Sequence, residues 1–180
     1  MNDRRFEGDY DRLRKPERLA RLELDRVVAE CLEGLPVSAV ADIGAGSGVF
    51  SEVFAARGFS VIGVDINEDA RQAYEHFVPG GRFLIAPAEK LPLRDHEVDL
   101  AFLGHVLHET DVPLRALQEA RRVARLRTAV LEWKYQAEDF GPPLQHRLKA
   151  EQVAGWAAAA GFLQIDIEPL EFMVLYLLQG

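Results

Sequence analysis

The stretch Val40–Phe50 reads V-A-D-I-G-A-G-S-G-V-F. An apolar run ends in three glycines within five residues, Gly44, Gly46 and Gly48, and an apolar run resumes at once. Glycine lets a chain turn sharply and brings bare backbone against a ligand, because no Cβ stands in the way. The flanking runs read as a short strand, Ser38–Ile43, and a helix, Val49–Arg57, stopped by Gly58. A glycine loop between a strand and a helix lies where open α/β sheets bind ligands, outside the carboxyl ends of the strands.

The alternation continues outward from that point. Strands are expected at Ser60–Ile66, Arg82–Ala86, Val98–Leu103 and Thr128–Trp133. Helices are expected after Asn67 through Phe77, after Asp111, and over 149–160 before Gly161, with Asn67 and Asp111 as caps. Two closing strands, Gln164–Ile167 and Phe172–Leu178, have too few residues between them for a crossover, so the last must run antiparallel. The fold class is therefore α/β: a Rossmann-like, doubly wound, mostly parallel seven-stranded sheet, with helices on both faces and an antiparallel C-terminal strand. One domain over 1–180 is expected. It has an N-terminal helical segment within 1–35, a single helix over 16–33 packing outside the α/β core, and a lid loop at 135–148 around Gly141-Pro142-Pro143.

Composition narrows the function. The 180 residues carry a net charge of −8, which argues against nucleic acid as a partner. Five arginines gather between residues 114 and 127 against the single acid Glu119, and a solvated helix face explains them best. One cysteine, Cys31, excludes an internal disulfide and a multi-cysteine metal site. The opening MNDRRFEGDY is charged and lacks the apolar core of a signal peptide. The longest apolar run, Phe172–Leu178, is too short to span a bilayer. A cytoplasmic protein that binds no membrane is expected, and a homodimer is compatible with this reading.

The loop spacing is G-x-G-x-G, not the G-x-G-x-x-G of dinucleotide sites. Asp42 just before it would repel a pyrophosphate and suits a cationic ligand. Asp65 ends the second strand, 19 residues after Gly46, where a carboxylate can accept both ribose hydroxyls.

Four segments in this order resemble the class I S-adenosylmethionine-dependent methyltransferases: V-A-D-I-G-A-G-S-G at 40–48, G-V-D-I-N at 63–67, A-P-A-E-K-L-P-L at 86–93 and V-D-L-A-F-L-G-H-V-L-H-E at 98–109. The segments P-E-R-L-A-R-L at 16–22 and E-W-K…F-G-P-P-L-Q-H-R at 132–147 are similar to a small-molecule subgroup. The resemblance implies S-adenosyl-L-methionine as cofactor and a small-molecule acceptor, with no metal. It implies Gly44, Gly46 and Gly48 along the amino-acid and ribose part, Asp42 near the methionyl end, and Asp65 on the ribose hydroxyls. It also implies Ile66 on the adenine face, Ala88 and Glu89 at the adenine edge, and Gly104 beside the methionyl tail. His105 directly follows strand four and is the candidate base. His108, Tyr135, His146 and Arg147 are candidate substrate contacts. The family's Pro-Gly-Gly turn before strand five is R-L-R-T here, which predicts a shortened turn there. Two other readings remain: a cofactor-binding regulatory module without catalysis, and a nicotinamide-dependent oxidoreductase.

Overall fold

The computed structural model describes residues 9–180; most of the charged opening stretch lies outside them. Seven strands form one sheet in the order β3-β2-β1-β4-β5-β7-β6. They are β1 Ala39–Ile43, β2 Ser60–Asp65, β3 Arg82–Ile85, β4 Val98–Gly104, β5 Ala124–Trp133, β6 Gln164–Pro169 and β7 Met173–Gln179. β1 through β5 pair in parallel, while β7 is antiparallel to both β5 and β6. The chain reverses at β1, whose neighbours are β2 and β4. That reversal opens a crevice at the carboxyl ends of the strands.

Both faces of the sheet are covered, and strand alternation sorts the side chains between them. Ala41, Ile43, Ala101, Leu103 and Val130 pack with α5 (Pro113–Val123) and α6 (Ala150–Ala160). Val40, Leu100, Phe102, Ala129 and Leu131 pack with α2 (Leu24–Leu32) and α3 (Val49–Ala56). On the flank of that second face, α4 (Ala70–Phe77) packs Tyr74 against Phe83.

Several boundaries differ from expectation for identifiable reasons. The expected helix over 16–33 is two, α1 (Pro16–Leu19) and α2, broken where Glu23 takes a left-handed conformation at φ 46°. Glu23 is held there because its carboxylate accepts from the Glu171 N–H and pairs with Arg26. The segment packs on the core through Leu22, Val27, Val28 and Cys31, which are fully buried there. The N-cap residue of α5 is Val112, not Asp111, and Glu89 accepts from the Asp111 and Val112 N–H groups, anchoring the start of α5 from another loop. With no turn before it, β5 starts at Ala124 directly after α5, and a bulge between Ala124 and Arg127, opposite Val98–Leu100, takes up one extra residue.

The arginines of 114–127 are largely spent on structure. Arg122 binds Glu119 and Asp95, Arg125 binds Asp99, and Arg127 donates to the carbonyls of Glu30, Cys31 and Glu33.

Candidate active site

A cavity of about 820 Å³ opens over the carboxyl ends of β1, β2, β4 and β5. Its floor is the glycine loop and its roof is the segment from Tyr10 to Arg21. One side is formed by Phe140–Pro143 and His146. Arg14 fastens the roof to the floor by donating to the Ser47 carbonyl and pairing with Glu52.

The floor is held by hydrogen bonds of the chain itself. Gly44 and Ala45 donate their N–H groups to the Val64 carbonyl, Gly48 donates to Ala45, and Gly46 donates to Asp65. A phosphate-binding loop aims its N–H groups at the ligand; these four are already engaged. Gly44 has φ 72°, and a Cβ there would lie 2.5 Å from Val106 Cγ2, so the loop needs glycine to pass under the β4 turn. Gly48 is not part of the cavity wall. A Cβ on it would meet Val78 at 2.8 Å and Tyr74 at 3.0 Å, so it serves the packing of α4. Gly104 lines the cavity, but its missing Cβ also makes room for Phe102 and Phe50.

Two acids, Asp65 and Asp42, mark the half of the cavity over β1 and β2. Asp65 Oδ2 accepts from Gly46 and Oδ1 from Asn67, at 2.8 and 2.9 Å. Each oxygen keeps a lone pair for a diol. Burial raises the Asp65 carboxyl, opposed by these backbone hydrogen bonds. Asp42 is 2% exposed and accepts from both the N–H and the hydroxyl of Ser51 on a single oxygen, Oδ2. Burial pushes it up to about 6 against those two bonds, with Asp65 adding to the rise. A buried carboxylate raised by desolvation is relieved by a cation placed beside it. Ile66, 44% exposed, offers a bare apolar face on the same side, near Ala88 and Glu89.

The other half lies over β4 and β5. His105 sits at φ 58° at the end of β4, 9% exposed, with its ring 4.9 Å from that of Trp133. Nε2 is 3.2 Å from the Met173 sulfur, while Nδ1 is buried with no hydrogen-bond partner among the described residues. Sulfur is only an acceptor, so Nε2 carries the proton and Nδ1 presents a lone pair. Burial, the Arg18 charge and His108 all hold His105 well below 6.5, so it is neutral at pH 7.

His108 also lines the cavity, but its backbone N–H and Nδ1 both bind the buried Glu132 carboxylate, which locks the turn after β4 onto β5. His146 lies on the wall. Two expected substrate contacts do not reach the cavity. Arg147, its side chain 0% exposed, spends its guanidinium on the carbonyls of Pro142, Lys134 and Phe140 and on Glu138, and so holds the 135–148 loop in shape. Tyr135 is half exposed outside the wall, with Lys149 5.2 Å over its ring.

Sequence reasoning missed the roof. Tyr10, Leu13, Arg18 and Arg21 line the cavity, with Trp133 and Phe140 opposite. The PERLARL segment was visible as a motif, but nothing local said that it folds back over the glycine loop.

Residues 41–129 match the family model described as a methyltransferase domain. This part of the chain is a class I S-adenosylmethionine-dependent methyltransferase domain. Its cofactor is S-adenosyl-L-methionine. The residues present fit that molecule: Asp42 suits its cationic aminoacyl end, Asp65 its ribose diol, and Ile66 a flat base.

Similar proteins agree. A demethylmenaquinone methyltransferase from Renibacterium salmoninarum is 26% identical over 117 residues, covering 65% of this chain and 49% of its own. An uncharacterized methyltransferase from Mycobacterium sp. (strain JLS) is 32% identical over 122 residues, covering 67% and 47%. The chain thus spans about half the length of the curated relatives it matches. The methyltransferase fold is shared with a SAM-dependent methyltransferase from Aquifex aeolicus at TM-score 0.78 and 23% identity, covering 96% of this chain and 98% of that one. A Pyrococcus horikoshii protein superposes at TM-score 0.77 and 17% identity, covering 96% and 100%.

Proposed function

We propose that this chain transfers the methyl group of S-adenosylmethionine to a small-molecule acceptor by in-line displacement. One observation carries the reading. A single cavity, sized like a small-molecule site, holds cofactor-type acids over β1 and β2 and a buried, neutral imidazole over β4 and β5.

The bound cofactor supplies a sulfonium, which is already an activated methyl donor. The residues of this chain do the rest. Asp42 would hold the positive end of the cofactor and Asp65 its ribose hydroxyls. The roof and the Phe140–His146 wall exclude water and confine the acceptor. Holding the nucleophile in line with the breaking bond is worth about 7–11 kcal/mol of barrier. His105 Nδ1 accepts the proton that the acceptor loses as its new bond forms. Engagement of the arginines of 114–127 in the fold, and a cavity rather than a groove, weigh against nucleic acid as acceptor. Among the described residues, no helix is long and apolar enough to cross a membrane.

The test is a turnover screen for S-adenosylhomocysteine formation against small acceptors, followed by His105→Gln and His105→Ala on a positive. Loss of the base lowers kcat about 10²–10⁴-fold with cofactor affinity intact. Wild-type kinetics in both variants rejects His105. Cofactor binding without turnover on any acceptor favours the regulatory module.

A further inference from the structure

The acceptor half of the cavity carries a charge pattern that the methyltransferase reading does not explain. Arg18 and Arg21 sit three residues apart in the roof, linked by the Arg21 N–H to Arg18 carbonyl bond, and both line the cavity. Among the described residues the Arg18 guanidinium makes one hydrogen bond, from Nη1 to the Leu13 carbonyl at 2.9 Å. Its remaining N–H groups meet no acceptor among the described residues. Glu109 is the acid whose charge reaches it, and burial still pulls it down to about 10. Arg21 makes no side-chain hydrogen bond or ion pair among the described residues; its guanidinium lies over Phe140, with Cζ 4.3 Å from the ring centre. A guanidinium stacked this way keeps its edge donors in plane and available.

Below them the walls are apolar and largely aromatic: Phe50, Trp133, Phe140, Pro142 and Pro143. His105 lines the cavity beside these walls, with Asp139 and His146 also on the lining, and its Nδ1 is buried without a hydrogen-bond partner among the described residues. Two forked cations above an apolar slot, with an imidazole lining the same cavity, describe a ligand with a charged end and an apolar body.

We propose, resting on the methyltransferase reading above, that the acceptor is a small organic carboxylate with an apolar body, its carboxylate gripped by Arg18 and Arg21 and its nucleophilic O–H or N–H donated to His105 Nδ1. Forked guanidinium donors match the planar carboxylate. In the transfer, the acceptor's lone pair forms the new bond to the methyl carbon, the S–C bond pair stays on sulfur as a neutral thioether, and the acceptor proton passes to Nδ1. The carboxylate has a second effect. It offsets the Arg18 charge that helps to depress His105, and so strengthens the base only when the acceptor is in place.

The experiment uses the full chain saturated with S-adenosylhomocysteine and three probes: benzoate, benzamide and phenyl phosphate, followed by calorimetry and by the fluorescence of Trp133. Benzoate binds at least about tenfold more tightly than benzamide, the discrimination expected of a charge-assisted pair, and more tightly than phenyl phosphate. Arg18→Gln and Arg21→Gln each lose about tenfold for benzoate and nothing for benzamide. Arg18→Lys, lacking the fork, falls between. Arg21→Gln removes no side-chain hydrogen bond seen among the described residues, so it keeps the test valid if Arg18→Gln fails to fold. Equal binding of benzoate and benzamide, or wild-type benzoate affinity in Arg21→Gln, overturns the proposal. Preference for phenyl phosphate overturns the carboxylate. If the wild type does not bind S-adenosylhomocysteine at all, the underlying methyltransferase reading has failed instead.

Discussion

Replacing Asp42 by Asn should make the ligand-free protein more stable at neutral pH, not less. Both bonds from Ser51 fall on the same carboxylate oxygen. An amide oxygen can take that place, so the substitution keeps the hydrogen bonds and removes only the charge. The carboxyl is raised from 3.8 to about 6 in the fold, chiefly by burial. The folded state therefore binds the proton more tightly than the unfolded chain does. Stability from this group is highest at low pH and falls as pH rises from 3.8 to 6. At about 1.4 kcal/mol per unit, the shift of roughly two units sets a ceiling of about 3 kcal/mol on the gain at pH 7. That gain halves by pH 5 and largely vanishes by pH 4, where wild-type Asp42 is itself neutral. Urea denaturation of both proteins, without cofactor, at pH 7, 5 and 4 measures it. The same variant should bind S-adenosylmethionine more weakly, because the stability cost of Asp42 is what a bound cation relieves. A variant less stable than wild type at pH 7, with a gap that does not close in acid, would refute the reasoning.

Asp65→Ala should weaken S-adenosylhomocysteine by about 1.5–3 kcal/mol, roughly 13- to 160-fold, the range for hydrogen bonds to a charged group; an unchanged dissociation constant sinks the ribose assignment. Gly44→Ala places a Cβ 2.5 Å from Val106 at φ 72° and should lower the melting temperature, with partial recovery in the Gly44→Ala, Val106→Ala double variant; no recovery would leave backbone strain alone as the cause. Arg147→Ala should cost about 3–5 kcal/mol of stability, because it leaves Glu138 and three carbonyls without their donor. A stable Arg147→Ala protein with a raised acceptor KM would instead return Arg147 to the substrate.

The sheet was readable because its signals are local. Strand–helix alternation, the glycine loop and the short link before β7 each restrict the chain within a few residues, and together they leave one topology. Asp42 and Asp65 were readable for the same reason: each ends a strand or meets a turn whose place in the sheet is known. Other features depend on contacts distant in sequence. Glu23 leaves the helical region because Glu171, 148 residues on, donates to its carboxylate. Arg147 looks like a free cation until the loop folds and surrounds it with carbonyls. Glu132 and His108 meet only through the β4–β5 register, in which Gly104 faces Leu131. The roof is the largest miss, because the amphipathic pattern of 16–33 says that a face is buried but not what it covers.

The central claim is that this cavity holds S-adenosylmethionine and not a pyrophosphate-linked nucleotide. It rests on a glycine loop with its N–H groups already engaged and on two acids in the floor. Calorimetric titration of the wild-type chain with S-adenosylhomocysteine and, separately, with NADH tests it directly. The account predicts saturable one-to-one binding of S-adenosylhomocysteine and no heat of binding from NADH. Saturable binding of NADH with none of S-adenosylhomocysteine would contradict it.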